Sequence, residues 1–152
     1  MTIGIASALH VLSAVTWVGG MLFVLLALRP ALAGLPAEVR MPFFLQVLKR
    51  FFLLVWHAVV LILISGYVLV FKLFAGFGGA PAYVHIMHAL GLLMVCLFLF
   101  LFFFVYMPFR RAVKSGQSND VPRLANKMRQ IVTINLILGV VVVAVASGAK
   151  YL

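Results

Sequence analysis

Apolar positions fall in four long runs, separated by short stretches where charge, proline and glycine concentrate. The first run extends from about Ile3 to Leu28 without a charge and stops at Arg29-Pro30. The second covers about Phe51 to Phe71 and is closed by Lys72, the third about Tyr83 to Met107 before Pro108-Phe109-Arg110-Arg111, and the fourth about Gln130 to Ala149. Each run is apolar on all sides and reaches the roughly twenty residues a bilayer core requires, so the pattern predicts transmembrane helices rather than amphipathic ones. A backbone in lipid must satisfy its own hydrogen bonds, which leaves helix as the conformation for such runs.

The connections fit this reading. Ala31 to Pro42 contains Gly34, Pro36 and Pro42 and both charge signs, and is predicted as a loop leading into a short interfacial helix that ends at Lys49-Arg50. Ala75-Gly76-Phe77-Gly78-Gly79-Ala80-Pro81 suits a tight reversal. Lys114 to Arg123 is the longest polar segment, and Asn119 or Asp120 is expected to cap a helix with Pro122 in its first turn. The phenylalanine-rich second half of the third run is expected to face lipid. The predicted fold is all-α: one transmembrane domain over residues 1–152, a four-helix bundle running up-down-up-down.

Composition confirms the solvent. Hydrophobic residues make up 66% of the chain, charged residues 9%, and mean hydropathy is +1.27, values foreign to a water-soluble domain. The net charge of +10 is therefore read for topology, not as a nucleic-acid footprint. Arg29, Arg40, Lys49 and Arg50 lie between runs one and two; Arg110, Arg111, Lys114, Arg123, Lys127 and Arg129 lie between runs three and four; only Lys72 and Lys150 lie on the other side. That asymmetry predicts cytoplasmic long loops and both termini outside, in the periplasm if the membrane is the bacterial inner membrane. The first run has no basic leader and is read as a retained span. Cys96 has no second cysteine to pair with.

Candidate chemistry rests on histidine, since an ionisable group inside a span requires a reason to be there. From the middle of each span, His10 lies roughly 7 Å, His88 roughly 10 Å and His85 roughly 15 Å toward the outside, while His57 lies roughly 6 Å toward the cytoplasm. His10, Ser13, Trp17 and Gly20 form one helical stripe, and His85, His88 and Leu92 another. Imidazoles at one depth on different helices suit axial ligation of a b-type haem, held by His10 and either His85 or His88, with Trp17 packing on the macrocycle. Copper is the second candidate, but Met87, about 200° from His85 around the helix, turns away from that stripe. His57 is expected to hydrogen-bond Asn135 on the fourth span, with a second haem or iron site as its alternative role. Ser13, Thr16 and Ser65 are expected to bond back to their own helices.

No Asp, Glu, Lys or Arg falls inside a predicted span, and Glu38 and Asp120 both lie in loops, so neither a buried-charge relay nor a paired-carboxylate site is expected. Any oxidoreductase chemistry would belong to the cofactor. The expected role is electron transfer or oxidation of a membrane-dissolved or periplasmic reductant, with a redox protein, a quinone or a second copy of the chain as candidate partner; a copper-handling protein and a non-catalytic scaffold are the alternatives.

Leu9-His10-Val11-Leu12-Ser13-Ala14-Val15-Thr16-Trp17-Val18-Gly19-Gly20 resembles the opening helix of the copper-resistance protein D (CopD) family. Arg50-Phe51 with Ser65-Gly66, and Asn135-Leu136-Ile137-Leu138-Gly139, are similar to its second and last helices. The histidine and Trp-Val-Gly-Gly pattern of the first stretch also looks like HemJ-type protoporphyrinogen oxidases, four-helix haem proteins. That resemblance implies His10 as first-helix ligand and His85 or His88 as its third-helix counterpart. Those oxidases carry a lysine near the third-helix histidine, where this chain has His88. Proteins of the CopD family are usually larger, and this chain would correspond to the last part of one.

Overall fold

The computed structural model describes residues 1–116 and 119–148; the end of the fourth predicted run at Ala149, and Lys150 of the charge argument, lie outside them. Four helices are long and apolar enough to cross a membrane: α1 Thr2–Ala33, α2 Ala37–Phe74, α3 Ala82–Lys114 and α4 Val121–Gly148. The chain is an all-helical, multi-pass membrane protein, and its environment is the lipid bilayer. Successive helices run antiparallel, as paired positions show: His10 and Gly20 of α1 meet Gly66 and Phe51 of α2, Phe52 and Tyr67 of α2 meet Tyr106 and His88 of α3, and Met94 and Phe100 of α3 meet Gly139 and Lys127 of α4.

Two predicted helix ends are corrected. Neither Arg29-Pro30 nor Met107-Pro108 stops its helix, because each proline is preceded by a π-helical turn, Val24–Leu28 and Leu101–Tyr106. Proline has no N–H to give the carbonyl four residues back. Widening the turn lets the residue before each proline reach five back instead: Arg29 N–H donates to the Val24 carbonyl, and Met107 N–H to that of Phe102. Arg29 therefore sits within α1, not beyond it. Its guanidinium donates to the Ala125 carbonyl of α4 at 3.3 Å and lies 5.9 Å from the Phe44 ring centre.

The first connection is also shorter than predicted. Only Gly34-Leu35-Pro36 separates α1 from α2, and α2 continues through Pro42 and Lys49-Arg50 without a separate interfacial helix. Pro42 is tolerated so near the start because few helical bonds precede it. Arg40 closes the corner: its guanidinium donates to the Leu35 carbonyl at 2.7 Å and the Ala33 carbonyl at 3.1 Å, neutralising the carbonyl end of α1. The second reversal turns on Ala75 and Gly76, with φ of 54° and 108°, and on Gly79, where a Cβ would strike the Phe74 carbonyl oxygen. At the start of α4, the Asp120 carbonyl accepts the Leu124 N–H while its carboxylate pairs with Arg123 at 3.0 Å.

The core is aromatic at the end where α1 joins α2 and α3 joins α4. Phe98 of α3 meets Trp17 edge-on at 6.0 Å and Trp56 at 5.1 Å, and Phe52 packs 4.3 Å from Tyr106. The phenylalanines of α3 thus divide. Phe103 and Phe104 are exposed to lipid as expected, but Phe98 and Phe109 are fully buried, because they lie on the face of α3 turned to the other helices.

Candidate functional site

At the end of the bundle that carries the described N-terminus, the helices diverge around a cavity of about 320 Å³. Its walls are almost wholly apolar. The exceptions are His10 of α1, Tyr67 of α2 and Tyr83 and His88 of α3, joined by the thioethers of Met87 and Met94, with Trp17 at its inner end.

His10 is held by α2. Its Nδ1 lies 3.0 Å from the Ile62 carbonyl and 3.1 Å from Ser65 Oγ. Ser65 gives its single proton to the Leu61 carbonyl at 2.6 Å, so its oxygen can only accept from the imidazole. With two acceptors at Nδ1, the proton is assigned there, and Nε2 keeps a free lone pair. Metal-ligating histidines are oriented in this way, one nitrogen tied to a carbonyl and the other left to bind. Gly66 makes the approach possible, since a Cβ there would lie 3.0 Å from His10 Cε1. Ser65-Gly66 is therefore the seat of the histidine.

His88 lines the same cavity and is packed between rings, 4.8 Å from Phe77 and 5.6 Å edge-on from Tyr67. His85 is exposed and does not line it; its ring centre lies 5.9 Å from that of Phe77. Helical geometry explains the split: the inner face of α3 runs through Val84, Gly91 and Phe98, and His88 lies roughly 60° from its middle while His85 lies roughly 120° away. The same rotation carries Met87 inward. Its opposition to His85, taken from sequence as a mark against copper, instead places it beside His88. Met94, about two turns deeper, is buried with its methyl against Gly139.

His57 is corrected. It is exposed and bonds the Leu53 carbonyl of its own helix at 2.7 Å, so the expected bond to Asn135 is not formed. Asn135 is only 2% exposed, and its side-chain oxygen has no partner. The two residues lie on faces turned to different surroundings, one to lipid and one to the bundle. Thr16 does bond back to its own helix, to the Leu12 carbonyl at 2.8 Å.

Among the described residues no three of His, Cys, Asp or Glu come together as a metal-binding group. The donors at the cavity are two imidazoles, two thioethers and the phenols of Tyr67 and Tyr83; the imidazole and thioether groups suit Cu(I), and the carboxylates a hard cation would need are absent from the lining. Methionine spacing carried this signal in the sequence, but only once the inward face of α3 was known.

A family model described as copper resistance protein D matches residues 45–149. The chain belongs to the copper resistance protein D family. The match covers most of α2, all of α3 and the described length of α4, so Ser65-Gly66, Met87, His88 and Met94 fall within the family region, whereas α1 with His10 lies before it. The likeness to HemJ-type oxidases gains no support. Comparison with curated proteins and with solved structures gives no match.

Proposed function

We propose that the chain is a copper-handling membrane protein that binds Cu(I) as cargo in the intramembrane cavity. The observation that carries this reading is that His10, His88, Met87 and Met94 line one apolar chamber, in a chain whose family is described by copper resistance. His10 and His88 would serve as the imidazole donors and the methionines as the soft ones. The apolar wall excludes water, which disfavours the harder, more strongly hydrated ions. The excess of basic residues at the end of the bundle where α1 joins α2 and α3 joins α4 supports placing the cavity in the outer leaflet, both termini periplasmic in a bacterial inner membrane, facing extracytoplasmic copper.

Haem b has one observation in its favour: His10 and His88 line the cavity from different helices. His85, the other candidate ligand, and His57 lie outside it. The test is a Cu(I) titration of the purified protein against a chromogenic chelator, with a visible spectrum of the same sample. The expected result is a colourless protein that withdraws about one Cu(I) per chain, less tightly after His10→Ala or Met87→Leu and unchanged after His85→Ala. A Soret band sharpening on reduction would replace the reading with an electron-transferring haem protein. A colourless protein indifferent to copper would leave a scaffold.

A further inference from the structure

A second concavity, of about 490 Å³, opens at the opposite end of the bundle between α2 and α3. Its rim carries Lys49 and Arg50 from α2 and Arg110 from α3, and its wall is formed by Trp56, Phe102 and Tyr106. Helical spacing builds this arrangement. Lys49 and Arg50 stand one to two turns before Trp56, and Arg110 stands one and two turns after Tyr106 and Phe102, so the antiparallel pair brings three cations to one level over one aromatic wall. The wall is rigid, with Trp56 edge-on to Phe102 at 5.5 Å and Phe102 beside Tyr106 at 5.5 Å.

The cations have no acid to answer them. The chain has only two acidic residues, Glu38 and Asp120, and the sole ion pair among the described residues is Asp120 with Arg123. Below the rim the groove is continuous with lipid-facing surface, for Leu53 in its wall is 60% exposed and Trp56 packs on exposed Phe103. A ligand matching both halves has a phosphate at the rim and a hydrocarbon tail running along the aromatic wall.

We infer that this groove is a binding site for one anionic phospholipid, its phosphodiester held by Lys49, Arg50 and Arg110 and an acyl chain lying against Trp56 and Phe102. Phosphate is the shared chemistry of a lipid headgroup and a free anion. The aromatic wall and its continuity with the membrane-facing surface select the lipid. Basic pockets between transmembrane helices recognise headgroups in this way.

The test uses the full chain carrying Trp17→Phe, so that Trp56 is the single tryptophan, in neutral detergent micelles doped with phosphatidylglycerol or phosphatidylcholine bearing brominated acyl chains. Trp56 emission should be quenched at lower mole fraction by the phosphatidylglycerol. Each of Lys49→Gln, Arg50→Gln and Arg110→Gln should weaken its apparent affinity roughly fivefold. The charge-conserving variant Lys49→Arg with Arg50→Lys and Arg110→Lys should keep the preference, which separates loss of charge from misfolding. Arg111→Gln with Lys114→Gln, at the same end but outside the groove, should change little. Equal quenching by the two lipids overturns the inference, as does an equal loss from the Arg111 and Lys114 changes, which would reduce the effect to general surface charge. Displacement by millimolar inorganic phosphate would make it a free-anion site instead.

Discussion

Gly66→Ala separates the seat of His10 from the stability of the helix that provides it. The added methyl would lie 3.0 Å from His10 Cε1 and 3.4 Å from Nδ1. Carbon atoms prefer about 3.5–4.0 Å, so the ring must retreat by about 0.5 Å. The Ile62 carbonyl lies one turn before Gly66 on the same face, and its 3.0 Å contact with Nδ1 would then approach the limit of a useful hydrogen bond. Loss of such an orienting partner typically weakens a metal site about 10- to 100-fold, or roughly 1.4–2.7 kcal/mol. Stability should move the other way or stay level, because alanine in a helix interior is favoured over glycine by about 1 kcal/mol and crowding at one flexible ring takes back only part of this. Gly19→Ala is the matched control: its methyl meets nothing within 4 Å, so it should stabilise by a similar amount and leave copper affinity alone. Chelator competition gives the affinity and denaturant titration in mixed micelles gives the stability. If Gly66→Ala binds Cu(I) as tightly as the parent, the role assigned to His10 is wrong; if both quantities fall together, the effect is general packing.

Three further outcomes follow from the same contacts. His57→Ala should change stability by no more than about 0.5 kcal/mol in the same titration, since the ring faces lipid and bonds only its own helix; a larger loss would restore an inter-helix role. Asn135→Leu should stabilise the bundle by about 1–3 kcal/mol, because it removes a buried acceptor without a partner at nearly constant volume, and destabilisation would reveal a partner for the amide. Gly139→Ala places a methyl 2.8 Å from Val18 Cγ2 and 3.2 Å from the Met94 methyl. Overpacking of about 1–3 kcal/mol should exceed the helix-propensity gain, and Val18→Ala should rescue it; strictly additive effects in that double-mutant cycle would place the strain elsewhere.

The four helices were legible because lipid imposes one conformation on an apolar run, and charge bias suggested their orientation. Their ends were not. Pro30 and Pro108 read as terminators because a proline usually is one, and the compensation is a backbone register change, a π-turn, that leaves no residue signature in Val24–Leu28 or Leu101–Tyr106. Pro42 was misread for a different reason: whether a proline lies in the first turns of a helix or beyond its start depends on where the cap falls, and Pro36 supplied an earlier one.

The site shows where helical periodicity stops informing. Spacing along α3 correctly opposes Met87 to His85, yet a helix apolar all round does not declare which side is inward, and one choice turns His85 to the bundle while the other turns Met87 there. What decides the rotation lies outside α3. Phe98 must reach Trp17 and Phe52, and Met94 must fit against Gly139 of α4. Those long-range fits turn Met87 and His88 into the chamber and His85 out of it. The same logic applies to His10, whose partner is a helix surface opened by Gly66 and a serine whose proton is already committed. A small residue beside a hydroxyl, facing a lone histidine on the neighbouring helix, is the feature in this chain that most directly couples packing to chemistry.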